Sequence, residues 1–431
     1  MSIAYGGIIA FFFRGVHLAV AFALVLVTSA ELGGAGRGTF ILGVTAIGIV
    51  TALTNGLTAA AAYQVSNRRR HPVDVLASAA APALGAVAVV FAAGALARAV
   101  FSGDIAAIAI PVAAGAGAIV VNSTISGVLL GQEAFVRYNA SQVLPVACSL
   151  AGVAATFWLL DRTTPTAALT AYAVGQWVAF PVLLSFAVRR FPGRPGFDWP
   201  LARSLATFGV VAALAATVSY LNYRADLFVV EHFEGREGVG VYGNAVYVAE
   251  ALWNLSGALA LAAYARIGSA EREAAAQLTA RVMRHTLLIL GAVSVGLFAL
   301  AGILVDLVFP EEFRGMVTPI RLLLPGTLIF GLAAAFSGYF TYQLGRPWAS
   351  LVVASTALAV DIALAIALVP AMGIDGAALA TTVSYVCAMG LALAWFARSS
   401  GMGMANVFRY SRADFDDYRT LVGRLRAAVG G

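Results

Sequence analysis

Two charged residues, Arg224 and Asp226, stand two positions apart inside a stretch, 203–231, that is otherwise apolar enough to cross a membrane. A charge at the bilayer centre costs roughly 2.5–3.5 kcal/mol on insertion scales. Such a pair is therefore expected to face a polar interior rather than lipid. Arg14 repeats the pattern in the first apolar stretch, with His17 three residues on and so on the same helical face. Arginine suits phosphate and carboxylate because its planar fork binds oxyanions bidentately and keeps its charge in a dry site. The chemistry these residues point to is anion binding at depth. Structural readings stand beside it: Arg14 reaching back to the interface, and Arg224 in an ion pair with Asp226 or another helix. On an unbroken helix Arg224 and Asp226 would point about 200° apart. Arg224 is then expected in the cavity and Asp226 against a neighbouring helix.

Three acids qualify as coupling-ion candidates for a proton or Na+: Glu250, Asp361 and Asp226, each placed within an apolar run, with a buried ion pair to an arginine as the structural alternative for Glu250 and Asp361. Asp306 falls near the end of its run, where water reaches it. Polar side chains at depth (Asn55, Asn122, Gln176, Asn222, Asn244 and Asn254) could line a cavity or bond helices together. Of these, Asn55, Asn222 and Asn254 join Arg14, His17 and Arg224 as candidate substrate contacts.

Enzymatic signatures are missing. The chain has no His-Glu-x-x-His, P-loop, Cys-x-x-Cys or serine-elbow pattern, so no catalytic residue is expected. Its four histidines are scattered and its two cysteines, Cys148 and Cys387, lie in apolar runs, so no metal site, disulfide or cofactor is expected. Gly238-Val239-Gly240-Val241-Tyr242-Gly243 fits the dinucleotide pattern, but that pattern needs a preceding strand. Here it opens an apolar helix, where glycines imply close helix packing. Gly127 and Gly131 carry the same implication.

The elements that must hold these residues are membrane helices. The 431 residues are 61% hydrophobic and 11% charged, against about a quarter charged in soluble domains. Apolar windows predict twelve spans at about 6–29, 38–63, 74–98, 105–131, 136–160, 166–189, 203–231, 239–265, 283–308, 318–343, 348–370 and 375–397. Open sheets in lipid leave backbone groups unpaired, so the spans are helices. All 27 basic residues are arginine, and 19 of them fall in the turns on one side or in the tail, against six on the other. This bias puts both termini in the cytoplasm of a cell-membrane protein. The segment Ser269–Arg284 reads as a cytoplasmic helix leading into span nine, and 413–426 as an amphipathic surface helix.

A Pro/Gly-rich loop, 191–202, separates two halves of six spans. Matching features recur about 200–215 residues apart: Gly36-Arg37-Gly38-Thr39-Phe40 with Gly238-Val239-Gly240-Val241-Tyr242, and Leu130-Gly131 with Leu344-Gly345. Two halves in the same orientation form a parallel repeat. The domains are therefore 1–190, the inter-lobe loop, 203–398 and a tail, 399–431.

Ordered along the chain, these features resemble the polysaccharide flippases of the multidrug/oligosaccharidyl-lipid/polysaccharide exporter superfamily. The residues that carry the resemblance are Arg14, Leu32-Gly33, Gly38-Thr39-Phe40, the run 129–139, Asn222-Tyr223-Arg224-Ala225-Asp226 and Val239-Gly240-Val241-Tyr242. Ala249-Glu250 through Trp253, Leu323-Leu324-Pro325-Gly326, Leu344-Gly345-Arg346-Pro347 and the run 373–380 complete it. The resemblance implies an all-α polytopic fold of two six-helix lobes around a central cavity. It also implies alternating access that carries polyprenyl-diphosphate-linked oligosaccharide from inner to outer leaflet, with Arg14 and Arg224 at the diphosphate. Its implied partners are that lipid-linked substrate, membrane lipids and the glycosyltransferases or polymerase of the pathway, with no nucleic acid, and the unit is expected to be a monomer. The alternative within the same fold is a cation-coupled exporter of organic cations. A basic cavity favours the first. A membrane-embedded glycosyltransferase is disfavoured, because no sizeable acidic catalytic loop is present.

Overall fold

A computed structural model describes residues 3–189, 195–346 and 348–410. Of the inter-lobe loop, 191–202, residues 191–194 lie outside the described residues, as does the amphipathic segment at 413–426, while 199–202 open a helix rather than a loop. All described elements are helical. In chain order they are α1 (Ile3–Ser66), α2 (Pro72–Val100), α3 (Gly103–Gly131), α4 (Phe135–Trp158), α5 (Pro165–Val188), α6 (Trp199–Asn222), α7 (Asp226–Glu250), α8 (Trp253–Ser269) and α9 (Arg272–Val308). A 3-10 turn, Glu311–Met316, then leads to α10 (Val317–Phe330), α11 (Ala333–Gly338), a π turn (Tyr339–Gln343), α12 (Trp348–Ser400) and α13 (Met404–Val407).

Three of these helices are hairpins. α1 contains Gly33 at φ 65°, ψ 177°, and α7 contains Gly235 at φ 70°, ψ −167°. That backbone region is open essentially to glycine alone. The chain folds back at each: Arg37 Nη1 donates to Thr28 Oγ1 at 2.8 Å, although nine residues of straight helix would separate them by about 13.5 Å. α12 turns in the same way at Gly373. Splitting α1 and α12 at their glycines, and joining α6 to α7 up to Gly235 and the rest of α7 to α8, yields the twelve expected spans. Gly33 and Gly235 stand 202 residues apart, within the predicted repeat offset.

One expected span needs correction: span seven is not one helix, since α6 stops at Asn222 and α7 begins at Asp226. The helix expected over Ser269–Arg284 does lead into span nine, as α9 running unbroken from Arg272 into the membrane-length stretch. No glycine or proline interrupts its first turns, so nothing stops the helix before the apolar run.

The chain forms two compact units: Met1–Val246 with Gly302–Pro319 and Ala365–Ala377, and Tyr247–Ala301 with Ile320–Leu364 and Ala378–Gly431. The first is built on close helix contacts. A methyl at Gly127 would sit 2.3 Å from the Thr58 carbonyl oxygen, and one at Gly131 2.8 Å from that of Ala62. The G-x-x-x-G expectation of tight packing is met. Buried polar groups bond helices in register: Asn122 Nδ2 donates to Gln176 O (2.8 Å), and Gln176 Nε2 to Ser149 Oγ (3.0 Å). The second unit is held by aromatic rings. Phe330 stacks on Tyr385 at 4.3 Å between centroids, Trp253 packs against both, and its Nε1 donates to Thr327 O (3.0 Å).

Candidate substrate and ion site

The break between α6 and α7 is a tight turn at a level where the sequence predicts an uninterrupted span. The amides of Arg224 and Ala225 both donate to Leu221 O, at 3.1 and 2.8 Å, and that of Tyr223 to Tyr220 O at 3.0 Å. The chain then restarts as α7 with Asp226 at its first position. Asp226, 3% exposed, accepts the Leu227 amide at 2.9 Å and the Tyr242 hydroxyl. A carboxylate at a helix N-terminus is favoured by the aligned peptide dipoles. The second expectation for Asp226, a neighbouring-helix partner, is realised through Tyr242. The geometric argument behind it fails, because Arg224 and Asp226 do not share a regular helix.

Arg224 lies in the turn, half-buried, with Nη1 donating to Tyr223 O at 2.7 Å. Asn222, the last residue of α6, is 2% exposed, and neither its Oδ1 nor its Nδ2 has a hydrogen-bond partner. Two residues earlier, on the other side of α6, the Tyr220 hydroxyl packs over the second arm of α1: a methyl at Gly48 would sit 1.9 Å from its oxygen.

The other candidates are dispersed. Arg14 is exposed on the first arm of α1, and His17 is half-buried with Nδ1 3.1 Å from Gln142 O, a contact that assigns the proton to Nδ1. Asn55 is exposed on the second arm. Glu250, Asn254 and Asp361 belong to the second unit. There Glu250 is half-buried, Asp361 is 1% exposed, and Asn254 is exposed with Nδ2 donating to Ala251 O at 3.1 Å. The structure thus brings Asn222, Arg224 and Asp226 together at one break and leaves Arg14 with His17 on one helix face.

One charged centre lies where the arginine bias alone places a turn residue exposed to water: Arg37, among the six arginines on the outer side, is 2% exposed. Its Nε donates to Asn244 Oδ1 (3.0 Å) and its Nη1 to Thr28, while Asn244 Nδ2 donates to Ser29 Oγ (2.9 Å). The helices meet here almost backbone to backbone: a methyl at Gly38 would lie 1.8 Å from Arg236 O, and one at Gly240 2.1 Å from Gly34 O. An arginine flanked by two glycines was the signal. An apolar groove of about 710 Å³ runs along the second arm of α1, α2 and α3 and has Arg236 and Glu231, 3.0 Å apart, at its rim. Among the described residues no group of three or more His, Cys, Asp or Glu side chains could hold a metal ion.

The model of a family described as polysaccharide biosynthesis protein matches residues 44–318. Solved structures share the fold at low identity. An inward-facing multidrug resistance MATE family transporter of the MOP superfamily aligns with TM-score 0.72 at 16% identity, over 89% of this chain and 94% of that one. An outward-facing one aligns at 0.67 and 16%, over 92% and 95%. A MOP superfamily transporter from Pyrococcus furiosus, whose binding pocket is described as of reverse polarity, aligns at 0.64 and 17%, over 92% and 94%. No curated protein matches the sequence.

Proposed function

Because the chain belongs to the polysaccharide biosynthesis protein family, we propose that it is a flippase that carries polyprenyl-diphosphate-linked oligosaccharide from the inner to the outer leaflet by alternating access. The observation that carries this reading is Arg224 in an unwound turn inside a membrane span. A discontinuous helix is where transporters of several folds place their substrate and ion contacts, since irregular backbone survives at membrane depth only beside protein or a cavity. An arginine there suits the diphosphate, whose charge a lipid tail cannot carry across unaided. Arg14, exposed on the first span, supplies a second cation. The groove along α1, α2 and α3 is suited to an apolar chain.

The solved transporters of this fold named for multidrug resistance support the second reading, export of organic cations. The P. furiosus protein, described as having a pocket of reverse polarity and a different function, supports a separation of substrates by charge within one fold. The deciding experiment uses purified protein in liposomes with a fluorescent polyprenyl-diphosphate sugar in the inner leaflet. Flipping of that lipid without efflux of ethidium-like cations is expected. Efflux of the cation with the lipid left in place overturns the flippase reading.

A further inference from the structure

The second unit holds a basic centre of its own. On α9, Gln277, Arg281 and Arg284 follow at i, i+4 and i+7, which is one face of a helix. The chain beyond α12 is tied to that helix. Arg284 Nη1 donates to Val407 O at 3.0 Å, the Tyr410 hydroxyl donates to Arg284 O at 3.3 Å, and Arg272 Nη2 donates to Ser399 O at 2.5 Å. Val407 is itself fully buried. Between these two walls lies a cavity of about 620 Å³ whose polar lining is Arg281, Arg284, Arg409, Asn406, Gln277 and Tyr410. None of the described residues that line it is an acid. The acids at the start of α9, Glu271 and Glu273, fall before the cavity and do not line it.

Three guanidinium groups around one cavity repel one another, and Arg284 is only 8% exposed. Removing a charge from water is compensated by an opposite charge, so the occupant this cavity fits is an anion. Arginine forks take phosphate oxygens two at a time, and the Asn406 amide is a further donor of the kind a phosphate accepts. The level of the cavity points to a lipid. Arg284 stands where α9 enters its apolar stretch, 283–308, and Leu278 and Met402 give the cavity an apolar side. A headgroup phosphate at that boundary reaches the arginines without leaving its leaflet. The arginine bias expects this end on the cytoplasmic side, where anionic lipids give the leaflet a negative potential. We propose that the cavity between α9 and the chain beyond α12 binds the headgroup phosphate of an anionic phospholipid, with Arg281, Arg284 and Arg409 as its ligands. The proposal concerns a lipid that stays in place, and it stands whether or not the flippase reading holds.

The test measures binding without transport. The purified full chain in a neutral detergent is unfolded thermally while phosphatidylglycerol or phosphatidylcholine is added at constant ionic strength. A saturable rise in Tm with phosphatidylglycerol alone is expected in the parent protein. The double variant Arg281→Gln with Arg409→Gln should need on the order of tenfold more of that lipid for the same rise. Its Tm in phosphatidylcholine should stay near the parent's. Arg69→Gln with Arg203→Gln removes the same charge from exposed positions elsewhere and should respond as the parent does. The proposal is overturned if the two lipids act alike, if the Arg281 and Arg409 double variant keeps the parent's response, or if the control pair loses it equally. It is also overturned if sodium phosphate at matched ionic strength gives the same saturable rise, which would mark a site for a soluble anion. A rise at far lower concentrations of polyprenyl diphosphate, lost in the same double variant, would assign the cavity to the carried lipid and overturn it too. Should the double variant melt much lower in phosphatidylcholine, the exposed Arg409→Gln alone decides: an unchanged response in it overturns the proposal.

Discussion

Arg224 sits where the chain stops being helical for three residues, and that is why a charge can be held there at all. Its side chain is half-buried and its partner Tyr223 O is freed by the break itself. Replacement by alanine removes the cation but none of the turn's backbone bonds. Arg224→Ala should therefore abolish lipid transport in the liposome assay while thermal unfolding and size-exclusion behaviour stay those of the parent. Unchanged transport would assign Arg224 to structure. Arg37 is the opposite case. It is enclosed, and its bonds tie it across the Gly33 turn to Thr28 and, 207 residues on, to Asn244. Breaking a buried, hydrogen-bonded charge at one partner typically costs about 3–5 kcal/mol. Arg37→Ala should lower the Tm markedly, and Asn244→Ala should lower it too by removing the acceptor of Arg37 Nε. A Tm unmoved in both would mean that water replaces these bonds.

At the scale of elements, glycine decides where helices turn and how closely they approach. Gly33 and Gly235 reverse α1 and α7 in one residue at positive φ. Each such conformation costs a side-chain-bearing residue of order 1–3 kcal/mol. Gly33→Ala should thus destabilise by about that amount, read as a lower denaturation midpoint. Gly240→Ala should be worse, since the added methyl meets Gly34 O at 2.1 Å and overpacking alone costs about 1–3 kcal/mol. Gly302→Ala, where a methyl would meet nothing within 4 Å, is the control and should be nearly neutral or slightly stabilising in a helix. The α6–α7 break has no such glycine or proline. Its cause is the Asp226 carboxylate, which caps the start of α7 and takes the Tyr242 hydroxyl, so that a tertiary contact ends one helix and begins another.

For the whole molecule, the arginine bias gives a testable orientation. Acids meet the turns at Gly33 and Gly373: Glu312 lies against Gly33, Glu237 against Gly34 and Glu234 against Gly373. The turn after α1 carries Arg68, Arg69 and Arg70. In a background with Cys148 and Cys387 replaced by serine, a membrane-impermeant thiol reagent added to intact cells should label Ser102→Cys. Asn67→Cys should be labelled only after permeabilisation, and the reverse pattern would invert the orientation. The membrane character, the helical class, the twelve spans and the repeat offset are all readable in one dimension, because hydrophobic length and glycine spacing are local properties that lipid imposes on each helix separately. Residues such as Asn122 and Gln176 could likewise be named as buried polar groups from their depth alone. What residue depth could not supply is which groups meet. The burial of Arg37 against Asn244 and the break that parts Arg224 from Asp226 arise from helices packing at separations in sequence that no local pattern encodes. The sequence by itself therefore determined a twelve-span membrane protein with charges at depth. Only the tertiary structure decided that Arg224 and Asp226 stand at a break between helices rather than within one, with the Tyr242 hydroxyl from the next span bonded to Asp226.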